Sequence, residues 1–125
     1  MPETRAEKLM VALRGAQSSV AGLEATAVVS IDGLVIASSL PPDIEEERVA
    51  AMTAAMLGLG ERTANEMKRG GMDQLFLKGP LGYVVIMSAS EIAVLTAIAN
   101  ADVKLGLLFL ELKNLVQQLE PILKG

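Results

Sequence analysis

At 125 residues, 51% of them apolar, the chain has the length and composition for a single domain spanning 1–125 around one modest core. Aromatic residues make up only 2%, so that core is aliphatic and offers no stacking platform for bases or flat cofactors. Eleven Lys/Arg against fifteen Asp/Glu (formal charge −4) leave no basic footprint for nucleic acid, while the absence of His and Cys removes disulfides, thiolate or imidazole metal sites and the Ser-His-Asp arrangement.

The opening segment, MPETRAEKLM, is mixed in charge and lacks the apolar stretch of a signal peptide; with no cysteine in the chain, this fits a cytoplasmic protein. A first helix is expected from Thr4, because Thr4 and Glu7 form an S/T-x-x-E capping box. Leu9, Leu13, Ala16 and Val20 recur at helical spacing, with Met10 beside them. Next, EATAVVSIDGLVIASS (24–39) places β-branched residues on both sides of Asp32-Gly33. This predicts strands at 25–31 and 34–38 joined by a two-residue Asp-Gly loop at positive φ.

Leu40-Pro41-Pro42 ends the hairpin, and Asp43 is the expected N-cap of a second helix over 44–69. Glu45, Glu46 and Glu47 then complement the positive end of the helix dipole, which explains them better than a metal site. Lys68 and Arg69 suit the other end, before Gly70-Gly71. This helix has two apolar sides. Val49, Met52, Met56, Leu59, Thr63 and Met67 form a large stripe suited to packing on a sheet. Ala50, Ala51, Ala54, Leu57 and Gly58 lie roughly opposite, where so short a chain has nothing left to pack on them. Small-x-x-x-small spacing at Ala54 and Gly58 allows close backbone approach, so a helix pair between two copies of the chain is the economical expectation. A face chosen for helix propensity alone would mix in Glu, Lys and Gln.

Strands follow at 72–78, 83–89 and 92–100, the first two joined by the turn Gly79-Pro80-Leu81-Gly82. A last helix is expected from Asp102 as N-cap, with the stripe Leu105, Leu108, Leu112, Leu115 and Leu119, and with Pro121 at its end. The apolar run Leu105–Leu110 is too short to insert into a membrane.

Chemistry-bearing patterns are sparse. Gly58-Leu59-Gly60-Glu61-Arg62-Thr63 is glycine-rich, but it lies inside a helix and cannot form a phosphate nest. Ser88 and Ser90 read as turn formers, with Lys78 and Lys104 unlinked to them. No catalytic, metal or cofactor-binding residue is expected, and the chain reads as a binding module.

In its element order, αββαβββα, the sequence resembles the roadblock / dynein light chain family. The resemblance is carried by AVVSIDGLVIASS (27–39), the small-residue helix 44–69, LKGPLGYVVIMSA (77–89) and AVLTAIANADVKLGLLFLEL (93–112). Members often carry Asn immediately before the Leu-Gly pair, where this chain has Lys104. The resemblance implies an α+β, profilin-like fold: one antiparallel five-stranded sheet with the helix at 44–69 on one face and the terminal helices on the other. It also implies dimers in which the second helices pair and the third strands join two sheets. On that basis the homodimer interface is expected at Ala50, Ala51, Ala54, Leu57, Gly58, Gln74, Leu75 and Phe76.

Family members regulate or scaffold small Ras-like GTPases, or serve as dynein adaptors. This chain is most similar to MglB-like regulators of polarity GTPases, whose activating members supply no arginine finger, so no catalytic residue carries over. Two functions stand: a non-catalytic homodimeric regulator or scaffold of a small Ras-like GTPase, and a structural adaptor dimer without one. Glu61, Arg62, Asn65 and Lys68 are the candidate partner-binding positions.

Overall fold

The computed structural model describes residues 3–125. Helix α1 (Arg5–Ser19) opens on the expected capping box: Thr4 Oγ1 accepts the Glu7 N–H at 3.1 Å, and Glu7 Oε1 accepts the Thr4 N–H at 3.2 Å. Strands β1 (Leu23–Ser30) and β2 (Val35–Ser39) form the first hairpin. Its turn is one residue longer than the Asp-Gly pair predicts. Ser30 accepts the Gly33 N–H (3.0 Å) and donates its own N–H to Leu34 C=O (2.8 Å), enclosing Ile31, Asp32 and Gly33. Only Gly33 takes positive φ (90°), as expected for a three-residue loop whose last position is left-handed.

Helix α2 spans Glu46–Glu66. Its N-cap is Glu45 rather than Asp43, and no side chain caps it. The Ser38 hydroxyl of β2 instead donates to the Glu46 carboxylate, tying the start of the helix to the sheet. At the other end the left-handed conformation falls first on Lys68 (φ 57°) and then on Gly70 (φ 86°). Strands β3 (Gln74–Gly79), β4 (Gly82–Ser88) and β5 (Ala93–Asn100) form a meander. Gly82 is required where it stands: at φ 147° it presses on β5, and a Cβ there would overlap the carbonyl oxygen of Ala99.

Helix α3 (Leu105–Lys124) follows Lys104, not Asp102. The Asp102 N–H is taken by Asn100 Oδ1 at 3.0 Å, an Asx-type turn that places Asp102 ahead of the helix. The helix runs past Pro121 for one more turn, seating Leu123 in the core.

All strands pair antiparallel in one five-stranded sheet of order β2-β1-β5-β4-β3. The last strand in sequence is therefore central, and β5 is buried along most of its length. Its side chains alternate between faces. Leu95, Ala97 and Ala99 join Leu9, Leu13, Leu108, Leu112, Leu115 and Leu119 beneath α1 and α3. Val94 joins Val29, Ile86 and Ala50 beneath α2. The architecture is the α+β sandwich that the resemblance implies. Among the described residues no helix is long and apolar enough to cross a membrane.

Candidate functional site

Helix α2 is covered far less than α3. Of its residues only Ala50 and Thr53 are buried, and the layer it forms with the sheet is small. The sheet beneath supplies bulk through Val29, Ile86 and Val94, so the helix can sit close only by presenting small residues. Ala50 is fully buried in that cluster, and Leu57 packs against it. The turn at Gly33 comes up beside Ala51 and Ala54; a Cβ built on Gly33 would lie 3.6 Å from Ala51 Cα.

This corrects the expected orientation of the helix. Much of the small-residue side faces the chain's own sheet and hairpin, and most of the large apolar stripe is left outside, with only Val49 and Met56 half-buried against the sheet. Met52, Leu59 and Met67 are 58%, 66% and 67% exposed. Ala50 therefore cannot touch a second copy. Ala54 and Leu57 are half-buried, whereas Ala51 and Gly58 stand exposed on the outward crest with Ala55, Arg62 and Asn65.

The exposed stripe borders the uncovered part of the sheet. One apolar hollow of about 240 Å³ lies among Val49, Met52, Met56, Leu77, Val84 and Ile98. A second, of about 410 Å³, lies among Met56, Leu59, Thr63, Met67, Met72 and Leu75. Both open beside β3, which is one of the sheet's two edges and carries the expected positions Gln74, Leu75 and Phe76. Charge along α2 is polar: Asp43, Glu45, Glu46 and Glu47 gather at its start, where Arg48 pairs with Glu45 at 3.3 Å, and Lys68 and Arg69 follow Glu66 at its end.

The four partner-binding candidates divide. Glu61 is half-buried and its carboxylate accepts the Met72 N–H at 3.3 Å, so it fastens the α2–β3 link instead of facing a partner. Arg62, Asn65 and Lys68 are exposed, and among the described residues neither Arg62 nor Lys68 forms an ion pair. Ser88 and Ser90 shape the β4–β5 turn: the Ser88 hydroxyl donates to Ser90 C=O (3.1 Å), and Ser90 Oγ accepts the Ile92 N–H (3.2 Å). Among the described residues no group of His, Cys, Asp or Glu could hold a metal ion.

One cluster is not evident from sequence patterning. All three aromatic rings of the chain meet on the sheet face beneath α3, with Phe76 stacked on Tyr83 (centroids 5.2 Å apart) and tilted against Phe109 (5.5 Å). They come from three elements, so no local spacing marks them.

The model of the Roadblock/LC7 domain matches residues 10–99. An uncharacterized protein of Methanocaldococcus jannaschii is 36% identical over 99 residues, which cover 79% of this chain and 86% of that one. Among solved structures, a Roadblock/LC7 domain from Streptomyces avermitilis superposes with a TM-score of 0.85 at 21% identity, covering 92% of this chain and 97% of its own. Myxococcus xanthus MglB superposes with a TM-score of 0.88 at 20% identity, covering 99% and 93%. A profilin from Schizosaccharomyces pombe has the same fold at greater distance, with a TM-score of 0.65 at 13% identity, covering 95% and 98%.

Proposed function

The chain belongs to the Roadblock/LC7 domain family, and from that premise we propose that it acts as a homodimer which regulates or scaffolds a small Ras-like GTPase without a catalytic centre of its own. The observation that carries this reading is the apolar flank of α2 running beside the open edge of β3. A second copy related by a two-fold axis covers both features at once. Antiparallel α2 helices then bring the acidic start of one near the basic end of the other. Two β3 edges facing each other pair their free N–H and C=O groups.

In this dimer the two α2 crests lie side by side, pointing away from the sheets. Ala51, Ala55 and Gly58 keep that surface low, and Arg62, Asn65 and Lys68 stand along its margin. A partner docks across both copies. Its conformation shifts because one state binds that composite face better than another, and no residue enters the partner's nucleotide site. The partner class rests on the resemblance to MglB-like regulators.

The test is binding of a Ras-like GTPase from the same genome, loaded with GDP or a non-hydrolysable GTP analogue. Reversing the charges of Arg62 and Lys68 should slow association about tenfold at low salt and leave the dimer intact. If no such GTPase binds in either nucleotide state, the adaptor reading replaces this one. If the purified chain hydrolyses GTP unaided, the non-catalytic reading fails.

A further inference from the structure

Four methionines line the hollows between α2 and the β3 edge: Met52, Met56, Met67 and Met72. Met52 and Met67 are largely exposed in the protomer. Met10 and Met87, by contrast, pack against the core beneath α1 and α3. The chain has no cysteine, so methionine sulfur is its readily and reversibly oxidised group. We propose that this methionine-lined flank is a peroxide-sensitive switch of self-association, an inference that rests on a second copy covering the flank.

Each event is a two-electron oxygen transfer from hydrogen peroxide. A thioether lone pair attacks one peroxide oxygen, the O–O bond breaks and hydroxide leaves. The hydroxide removes the proton from the new S–OH group, giving methionine sulfoxide and water. The product is strongly dipolar and needs a hydrogen-bond donor wherever it is buried.

The flank is poor in such donors. The Thr63 hydroxyl already donates to Leu59 C=O at 2.7 Å. Arg69 borders the larger hollow, which Met67 and Met72 line together with Met56. The smaller hollow, around Met52 and Met56, contains no charged residue, and its two hydroxyl-bearing residues, Thr53 and Thr96, are buried. Those two sulfurs therefore carry the switch. Peroxide reaches them in the free protomer and is shut out in the dimer, so oxidation slows as protein concentration rises.

Sedimentation equilibrium before and after hydrogen peroxide, with peptide mass spectrometry to place each sulfoxide, tests the inference. Oxidation at Met52 and Met56 should weaken the dimer at least about tenfold. Methionine sulfoxide reductases should restore it. The volume-conserving double variant Met52→Leu/Met56→Leu should dimerise normally and resist peroxide, while Met10→Leu/Met87→Leu should stay sensitive. Three results overturn the switch: sulfoxide at both positions with an unchanged dimer constant, equal peroxide sensitivity in the Met52→Leu/Met56→Leu protein, or no oxidation at either under conditions that oxidise free methionine. A protein already monomeric before peroxide refutes the dimer itself, which is a separate and recognisable outcome.

Discussion

Replacing Met52 by Glu separates the outward flank of α2 from its inward side. Complete burial of a methionine side chain stabilises by about 1.5–3 kcal/mol relative to full exposure. Met52 is 58% exposed in the protomer, so covering it in a dimer recovers roughly half of that, about 1–2 kcal/mol per copy. In the proposed dimer the two-fold axis counts the residue twice, for about 2–4 kcal/mol, or about thirtyfold to several hundredfold in the dissociation constant. A buried carboxylate adds to the loss, so this range is a lower bound. The fold of the protomer should not notice, because Met52 faces outward.

Ala50→Leu is the complementary change. Ala50 is fully buried against Val29, Ile86 and Val94, so added bulk overpacks the layer and costs about 1–3 kcal/mol of protomer stability. Analytical ultracentrifugation over a concentration series, paired with thermal unfolding of each variant, distinguishes the two. A Met52→Glu protein whose dimer constant lies within threefold of the parent refutes the reasoning.

Two further outcomes are expected. Gly82→Ala should lower stability by about 3 kcal/mol in chemical denaturation, since the new Cβ overlaps the Ala99 carbonyl at a φ that side chains avoid; a loss below about 1 kcal/mol would show that β4 and β5 separate easily. The β3 amides that point away from β4 should exchange slowly in the intact protein and fast in Met52→Glu; fast exchange in both would remove β3 from the interface.

The order of elements was legible because each carried a local signal: the capping box at Thr4, Asp32-Gly33 between β-branched runs, and the leucine stripe of α3. Boundaries moved where two local partners competed. Asn100 took the Asp102 N–H, which shifted the start of α3 to Leu105. The orientation of α2 was not legible, for a different reason. Periodicity identifies residues that share a side of a helix, but α2 has two apolar sides and periodicity does not choose between them. The choice lay in the sheet, where Val29, Ile86 and Val94 leave room only for a small residue such as Ala50. Glu61 likewise lay on a readable helix, yet its partner is the N–H of Met72 in the following link, and no spacing rule reports that bond.

The meeting of the three aromatic rings has an optical consequence. Tyr83 is the chain's only tyrosine, and there is no tryptophan. Excited at wavelengths longer than phenylalanine absorbs, intrinsic emission therefore arises from one phenol, stacked on Phe76 of the edge strand β3. Anything that binds along β3, whether a second copy or a peptide, changes the surroundings of that single chromophore. The protein carries its own unlabelled probe, placed one strand in from the edge.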